Sequence, residues 1–112
     1  MIIIAGTIDL KPEVRDEALE ATRELMAETR SQPGCLDYVW SADGAVPGHI
    51  YVFERWTDRD SLAAHLEGRY YLEMRDAMGS FGLLGADVSK YRIDIQEPVY
   101  GPDMKPSADF KG

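Results

Sequence analysis

The apolar positions of this chain alternate between short runs of period two and longer stripes of helical period. Period two is typical of strands, whose successive side chains point to opposite faces of a sheet. Four segments show this period or are apolar throughout, and they predict strands: Ile2–Asp9, Cys35–Ala42, His49–Trp56 and Val88–Gln96. The turn-rich segment 43–48 separates the second from the third, so we expect these two to form a β-hairpin.

Helical periodicity fills the two intervals that remain between the strands. A first helix opens at Pro12, which suits the first helical position, and ends before the helix-breaking segment 31–34. A second opens at Thr57, and Asp60 three residues later gives it a capping-box-like start. A further helix follows Gly68, with apolar residues at helical spacing: Tyr70, Met74, Ala77, Met78 and Phe81.

The resulting order of elements, β-α-β-β-α-β, predicts a ferredoxin-like α+β fold. Its four-stranded antiparallel sheet carries the helices on one face. Apolar residues also occur on the second face of the hairpin, and a small domain should cover such a surface with a partner. We therefore expect a homodimer in which two sheets pack together. Residues 1–98 form the expected domain, and residues 99–112 form a C-terminal tail.

Composition narrows the class of protein without naming a substrate. With 112 residues, the chain has room for one core. A net charge of −8 argues against nucleic acid and anionic membranes as partners. Cys35 is the single cysteine, which excludes an internal disulfide and zinc sites of the CxxC type. No apolar run reaches membrane-spanning length and the start lacks a signal-peptide pattern, so we expect a cytoplasmic protein.

A cluster of polar and aromatic residues is expected where the third strand meets the following helix. Glu54 and Trp56 share one strand face, while His65 shares a helical face with Leu62 and Leu66. The corner therefore carries Glu54, Arg55, Trp56 and His65 close together at the end of a strand, where pockets often open. Three of them have a structural alternative: His65 as a hydrogen-bonded core residue, Trp56 as a core or interface anchor, and Glu54 as half of an ion pair.

Three stretches of the sequence are similar to a known family. They are QPGCLDYVW at 32–40, IYVFERWTDRDSLAAHL at 50–66 and KYRIDI at 90–95. On these stretches the chain resembles the antibiotic biosynthesis monooxygenase family, especially its quinol-monooxygenase-like branch. The resemblance implies a dimeric α/β barrel with a pocket between each sheet and its own helices. It leaves the substrate open, since these small barrels carry varied chemistry.

The resemblance also implies an activity. Several members oxidise polycyclic or quinol substrates with dioxygen, because the deprotonated phenol itself supplies the electrons. We accordingly expect a cofactor-independent monooxygenase that acts with dioxygen on a small phenolic or quinol-type aromatic substrate. His65 would accept the proton, since an imidazole titrates near neutrality, and Glu54 and Trp56 match the family's E-x-W motif. The candidate lining residues are Tyr51, Phe53, Tyr70, Tyr71, Met74 and Phe81.

No metal or cofactor is expected, and two other functions stay open. A haem-degrading branch of the same fold uses an asparagine on the first strand and a later histidine ligand. In this chain Thr7 stands at the first position and no histidine follows His65. His49 and His65 without convergent carboxylates make a poor metal site. The other functions are a non-catalytic barrel of the stress-response type that binds a small apolar ligand, and a proton-transfer isomerase.

Overall fold

Four strands and four helices, described for residues 1–112 by a computed structural model, follow the split β-α-β order. The strands are β1 (Ile2–Asp9), β2 (Cys35–Ala42), β3 (His49–Trp56) and β4 (Gly85–Arg92). The helices are α1 (Pro12–Ala21), α2 (Arg23–Thr29), α3 (Arg59–Leu66) and α4 (Arg69–Ser80). The strands form one antiparallel sheet in the order β2-β3-β1-β4, which confirms the predicted ferredoxin-like α+β fold.

One face of the sheet is covered by helices and forms the core. Paired residues share a face, so the register places Tyr38, Glu54, Ile4 and Lys90 in one row across all four strands. The buried apolar side chains lie on this face, on the helices or at their junctions: Ile8, Leu10, Ala18, Tyr38, Ile50, Val52, Trp56, Leu62, Met74 and Met78. Helices contact β2 and β3, whereas residues 86–92 of β4 stay exposed. The covered face is therefore open along its β4 edge.

The other face of the sheet is bare and partly apolar. Val39, Tyr51, Phe53 and Tyr91 lie on it, and each keeps between 38% and 53% of its surface exposed. This is the face on which the sequence predicts a partner subunit.

The last strand differs from the prediction at both ends. The sequence predicts Val88–Gln96, but β4 runs from Gly85 to Arg92. Arg92 pairs with Ile2, where β1 begins, so the residues that follow have no neighbouring strand to pair with. Tyr91 of this strand lies on the bare face and keeps 52% of its surface exposed.

The predicted helices are present with changed ends. The first is divided into α1 and α2 at Thr22, whose hydroxyl donates to the carbonyl of Ala18 at 2.9 Å and competes with the helix backbone. Asp58 rather than Thr57 caps α3, since Asp58 Oδ1 accepts the backbone N–H of Ser61 at 2.8 Å. None of the four helices has the length and apolar character needed to cross a membrane.

The C-terminal segment 99–112 is exposed along its whole length. Its backbone closes on itself, with the N–H of Ser107 donating to the carbonyl of Val99 at 2.8 Å. The backbone N–H groups of Lys111 and Gly112 donate to the Glu97 carboxylate at 2.9 and 3.0 Å. No side chain of this segment belongs to the core. The domain boundary at residue 98 stays a prediction.

Candidate active site

A cavity of about 430 Å³ opens between the covered face of the sheet and α4. Its lining is mostly hydrophobic, with Ile4 and Val52 from the sheet and Met74 and Met78 from α4. Its charged residues are Glu54, Arg75 and Lys90. No group of three or more His, Cys, Asp or Glu side chains is placed to hold a metal ion. The site is therefore an apolar cavity with few ionisable groups.

Glu54 is the buried carboxyl group of the cavity. It lies on the central strand β3 and is 6% exposed. Its Oε1 accepts a hydrogen bond from Trp56 Nε1 at 3.0 Å. Loss of water outweighs this bond and raises the pKa of Glu54 from 4.5 to about 7. At neutral pH the carboxyl group is consequently divided between its protonated and ionised forms.

His65 lies against Glu54 but outside the cavity lining. Its ring is 2% exposed and stacks on Trp56, with ring centroids 4.6 Å apart. The rings of Tyr38 and Tyr71 contact it edge-on at 5.6 and 5.9 Å. Burial lowers the pKa of His65 from 6.5 to about 4, so the imidazole is neutral at pH 7.

Gln32 sets the orientation of the His65 ring. Its Oε1 lies 2.7 Å from His65 Nδ1, so Nδ1 carries the hydrogen and donates it. Nε2 then keeps its lone pair and faces Glu54 Oε1 at 3.9 Å. That distance is about 1 Å longer than an ordinary N–H···O bond. The neutral imidazole thus gives the carboxyl group no positive charge to pair with, and burial favours the protonated form of Glu54.

The loop that carries Gln32 depends on Gly34. This glycine has a φ of +80°, in the left-handed region that side chains disfavour. Its carbonyl accepts the backbone N–H of Thr57 at 2.9 Å, and a Cβ atom at this position would overlap the Ser61 side chain. Glycine therefore lets the loop lie tightly on the start of α3 and brings Gln32 to His65.

Trp40 and Tyr38 add two aromatic side chains with polar groups to the cavity lining. Trp40 lies on β2 beside Val52. Its Nε1–H is buried and makes no hydrogen bond of ordinary geometry, although it lies close enough to the Tyr38 hydroxyl to lower the pKa of that group slightly. Burial nonetheless raises the pKa of Tyr38 above its ordinary value of 10, so that hydroxyl stays protonated and able to donate.

Comparison with known proteins gives this architecture a family. The profile of the antibiotic biosynthesis monooxygenase family matches residues 1–77, which is most of the chain. The chain belongs to this family. The membership confirms the resemblance in the sequence, and it assigns a fold that generally binds small molecules and carries monooxygenase chemistry.

Solved structures share the family fold over nearly the whole chain. One is a candidate antibiotic biosynthesis monooxygenase from Deinococcus radiodurans, with a TM-score of 0.73 and 25% identity over 90% of this chain and 100% of that one. Another antibiotic biosynthesis monooxygenase has a TM-score of 0.71 and 28% identity over 87% of this chain and 100% of its own.

A relative is also found by sequence. An uncharacterised Synechocystis protein, sll1783, is 27% identical over 82% of this chain and 63% of its own length. This chain therefore spans less than two thirds of that relative.

The structure brings together the three residues predicted as catalytic, but only one of them lines the cavity. Glu54 lines the cavity, while Trp56 and His65 lie behind it. Glu54 is paired with Trp56 Nε1 rather than with an arginine. Of these three residues, the one that borders the cavity is thus Glu54, through its carboxyl group.

The predicted lining residues divide between the two faces of the sheet. Two of them line the cavity: Tyr71 and Met74. Tyr51 and Phe53 lie on the bare face, because they alternate along β3 with the residues that face the helices. Tyr70, on α4, and Phe81, directly after it, lie outside the lining.

Sequence reasoning missed Tyr38, Trp40 and Gln32. The alternation of β2 places Tyr38 and Trp40 on one face, but only the register against β3 sets them beside Glu54 and Val52. Gln32 gives no signal in the sequence, since its contact with His65 joins residues 33 positions apart through a loop.

Proposed function

We propose that this chain is a cofactor-independent monooxygenase that oxidises a small phenolic or quinol-type aromatic substrate with dioxygen. The observation that carries the proposal is the Glu54 carboxyl group, which borders an apolar cavity and has a pKa raised to about 7. A group with this pKa can accept a phenolic proton at neutral pH and later release it. Membership of the family supports the same class of reaction.

Glu54 takes the role of proton acceptor that the sequence suggests for His65. The imidazole does not line the cavity, and its pKa of about 4 makes it a weak base. His65 and Trp56 act as positioning residues. Trp56 fixes Glu54 Oε1 by a hydrogen bond, while His65 stacks on the Trp56 ring and holds it in place.

The Tyr38 hydroxyl is suited to hold the oxygen of the substrate. It lies on the strand position paired with Glu54, it stays protonated, and a hydrogen bond from it would stabilise the negative charge of a phenolate. The cavity thereby offers one proton acceptor and one donor side by side on neighbouring strands.

The proposed reaction needs no added reductant. The phenolate passes electrons to dioxygen, and one oxygen atom forms a bond to a ring carbon. The second oxygen leaves as water and takes the phenolic hydrogen and the hydrogen of that ring carbon. A phenol and dioxygen thus become a quinone and water, with the ring losing four electrons and dioxygen gaining four. Glu54 moves the protons, and the apolar lining keeps bulk water from the reacting ring.

Labelled dioxygen tests this function. With 1-naphthol under ¹⁸O₂, we expect naphthoquinone carrying one ¹⁸O atom, formed in equal amount to the oxygen consumed. Mass spectrometry and an oxygen electrode measure the two quantities. Heat-denatured protein controls for spontaneous oxidation. Absence of oxygen uptake across a panel of one- to three-ring phenols, or a label that comes only from water, would contradict the proposal.

The Glu54 carboxyl group also suits an isomerase. A base with a pKa of about 7 in an apolar cavity can remove a proton next to a carbonyl group. Exchange of those protons of 2-tetralone with deuterated water, without oxygen uptake, would select this function. Saturable binding with neither reaction would select the non-catalytic alternative.

We also propose that two copies of the chain pair through the bare face of the sheet. Val39, Tyr51, Phe53 and Tyr91 leave an apolar surface there that a second sheet would cover. A pair related by a twofold axis would bury the same residues from both copies and close the barrel.

The molar mass of the intact chain and of one variant, measured by light scattering, tests the pairing. The intact chain should elute as a dimer, and Phe53→Lys should give a monomer, because it places a charge at the centre of the buried face. Val46→Lys makes the same kind of change at an exposed apolar residue in the β2–β3 turn and should leave the dimer intact. An intact chain that is monomeric at tens of micromolar would rule out this pairing.

A further inference from the structure

The charges of the cavity are separated along its length. Glu54 is buried, whereas Arg75 on α4 and Lys90 on β4 are exposed at the open β4 edge. Two cations at this opening stand out in a chain whose net charge is −8. We propose that the substrate is a phenol bearing an anionic group, such as a carboxylate, at the end remote from its hydroxyl, and that Lys90 and Arg75 bind this group. The orientation of the ligand rests on the proposed function, which sets the hydroxyl at Glu54.

The register of the sheet fixes the separation of the two ends. Glu54 pairs with Ile4, and Ile4 pairs with Lys90, so all three side chains share the covered face. Neighbouring strands lie about 4.8 Å apart, so two intervals separate the backbones of Glu54 and Lys90 by about 10 Å. A fused two-ring aromatic with substituents at opposite ends has a comparable span.

Neither cation is held in a buried ion pair, so both can bind an incoming anion. No ion pair of the structure includes Lys90. Arg75 pairs with its neighbour Asp76 at 3.3 Å, but both side chains are more than half exposed, and such pairs hold weakly. Between the cations and Glu54 the lining is largely apolar, with Ile4 and Val88 on the sheet. This arrangement suits an aromatic body with one polar group at each end.

A pair of matched ligands tests the inference without turnover. Under anaerobic conditions, calorimetry compares 6-hydroxy-2-naphthoic acid with its methyl ester, which has nearly the same shape and no charge. The acid should bind about five- to tenfold more tightly at low salt, and the preference should shrink as salt is added. Lys90→Gln combined with Arg75→Gln should remove the preference. Lys105→Gln, which removes one charge from the distant tail, should keep it.

The outcomes separate this inference from the proposed function. Equal binding of acid and ester, failure of both to bind, or a preference that survives the double substitution would overturn the inference even if simple phenols are oxidised. A preference for the acid that the double substitution removes would uphold it even if no phenol consumes oxygen. In that second case only the proposed monooxygenase activity would be lost.

Discussion

Replacing Glu54 with glutamine should lower kcat by a factor of about 10²–10⁴ while the chain stays folded. Glutamine keeps the size of the side chain, and its oxygen can still accept the Trp56 N–H. It cannot take up a proton at neutral pH, so the phenol would have to lose its proton to water. Oxygen uptake with the best phenol of the panel measures the change.

A surface carboxyl group provides the control for this substitution. Glu20→Gln makes the same chemical change on the exposed side of α1 and should leave kcat unaltered. The account would be wrong if Glu54→Gln stayed folded, as judged by circular dichroism, and kept its full rate. The carboxyl group would then have no part in proton transfer.

The second large effect concerns the free energy of unfolding. Glu54 and His65 each make it depend on pH, and their two contributions have opposite signs. Burial raises the pKa of Glu54 from 4.5 to about 7, so the folded chain holds a proton that the unfolded chain has released. The stabilising contribution of this proton is lost as pH rises from about 4.5 through 7. It amounts to roughly 3 kcal/mol.

His65 contributes with the opposite sign. Burial lowers its pKa from 6.5 to about 4, so the unfolded chain binds a proton that the folded chain does not. This contribution is present above pH 6.5 and is lost as pH falls through 4. Between about pH 4.5 and 6.5 each state holds one proton on the pair, as carboxylic acid when folded and as imidazolium when unfolded. The two contributions therefore cancel in the intact chain.

Single substitutions should reveal the two contributions. Relative to the intact chain, Glu54→Gln should gain roughly 3 kcal/mol of stability as pH rises from 4.5 to 7. His65→Gln should gain a similar amount as pH falls from 6.5 to 4. Urea unfolding at half-unit pH steps measures these differences, in which all other titrating groups cancel. Differences that stay constant with pH would show that neither group has a shifted pKa.

The sequence predicts most of the fold because the pattern that defines it is local. Apolar alternation and turn residues set the bounds of β1, β2 and β3 as the structure has them. The end of β4 depends on where β1 begins, since Arg92 pairs with Ile2, and alternation alone carries no such information. Strand ends are set by the partner strand, so β4 ends at Arg92 and not at the predicted Gln96.

The sequence predicts which residues gather at the candidate site but not how they are arranged there. The E-x-W spacing on β3 and the position of His65 on α3 bring Glu54, Trp56 and His65 together, as the structure shows. Whether His65 borders the cavity depends on its contacts with Gln32 and Trp56, which the sequence pattern does not show. The choice of Tyr38 over Tyr51 similarly depends on register and face, which one sequence does not fix.

The pKa of Glu54 tests the central claim most directly. Carbon-13 NMR can follow the Cδ of this side chain through a pH titration, with its signal assigned by its absence from Glu54→Gln. We expect a midpoint near 7. A midpoint near its ordinary value of 4.5 would mean that the carboxyl group is ionised throughout the neutral range, and it would contradict this account of the site.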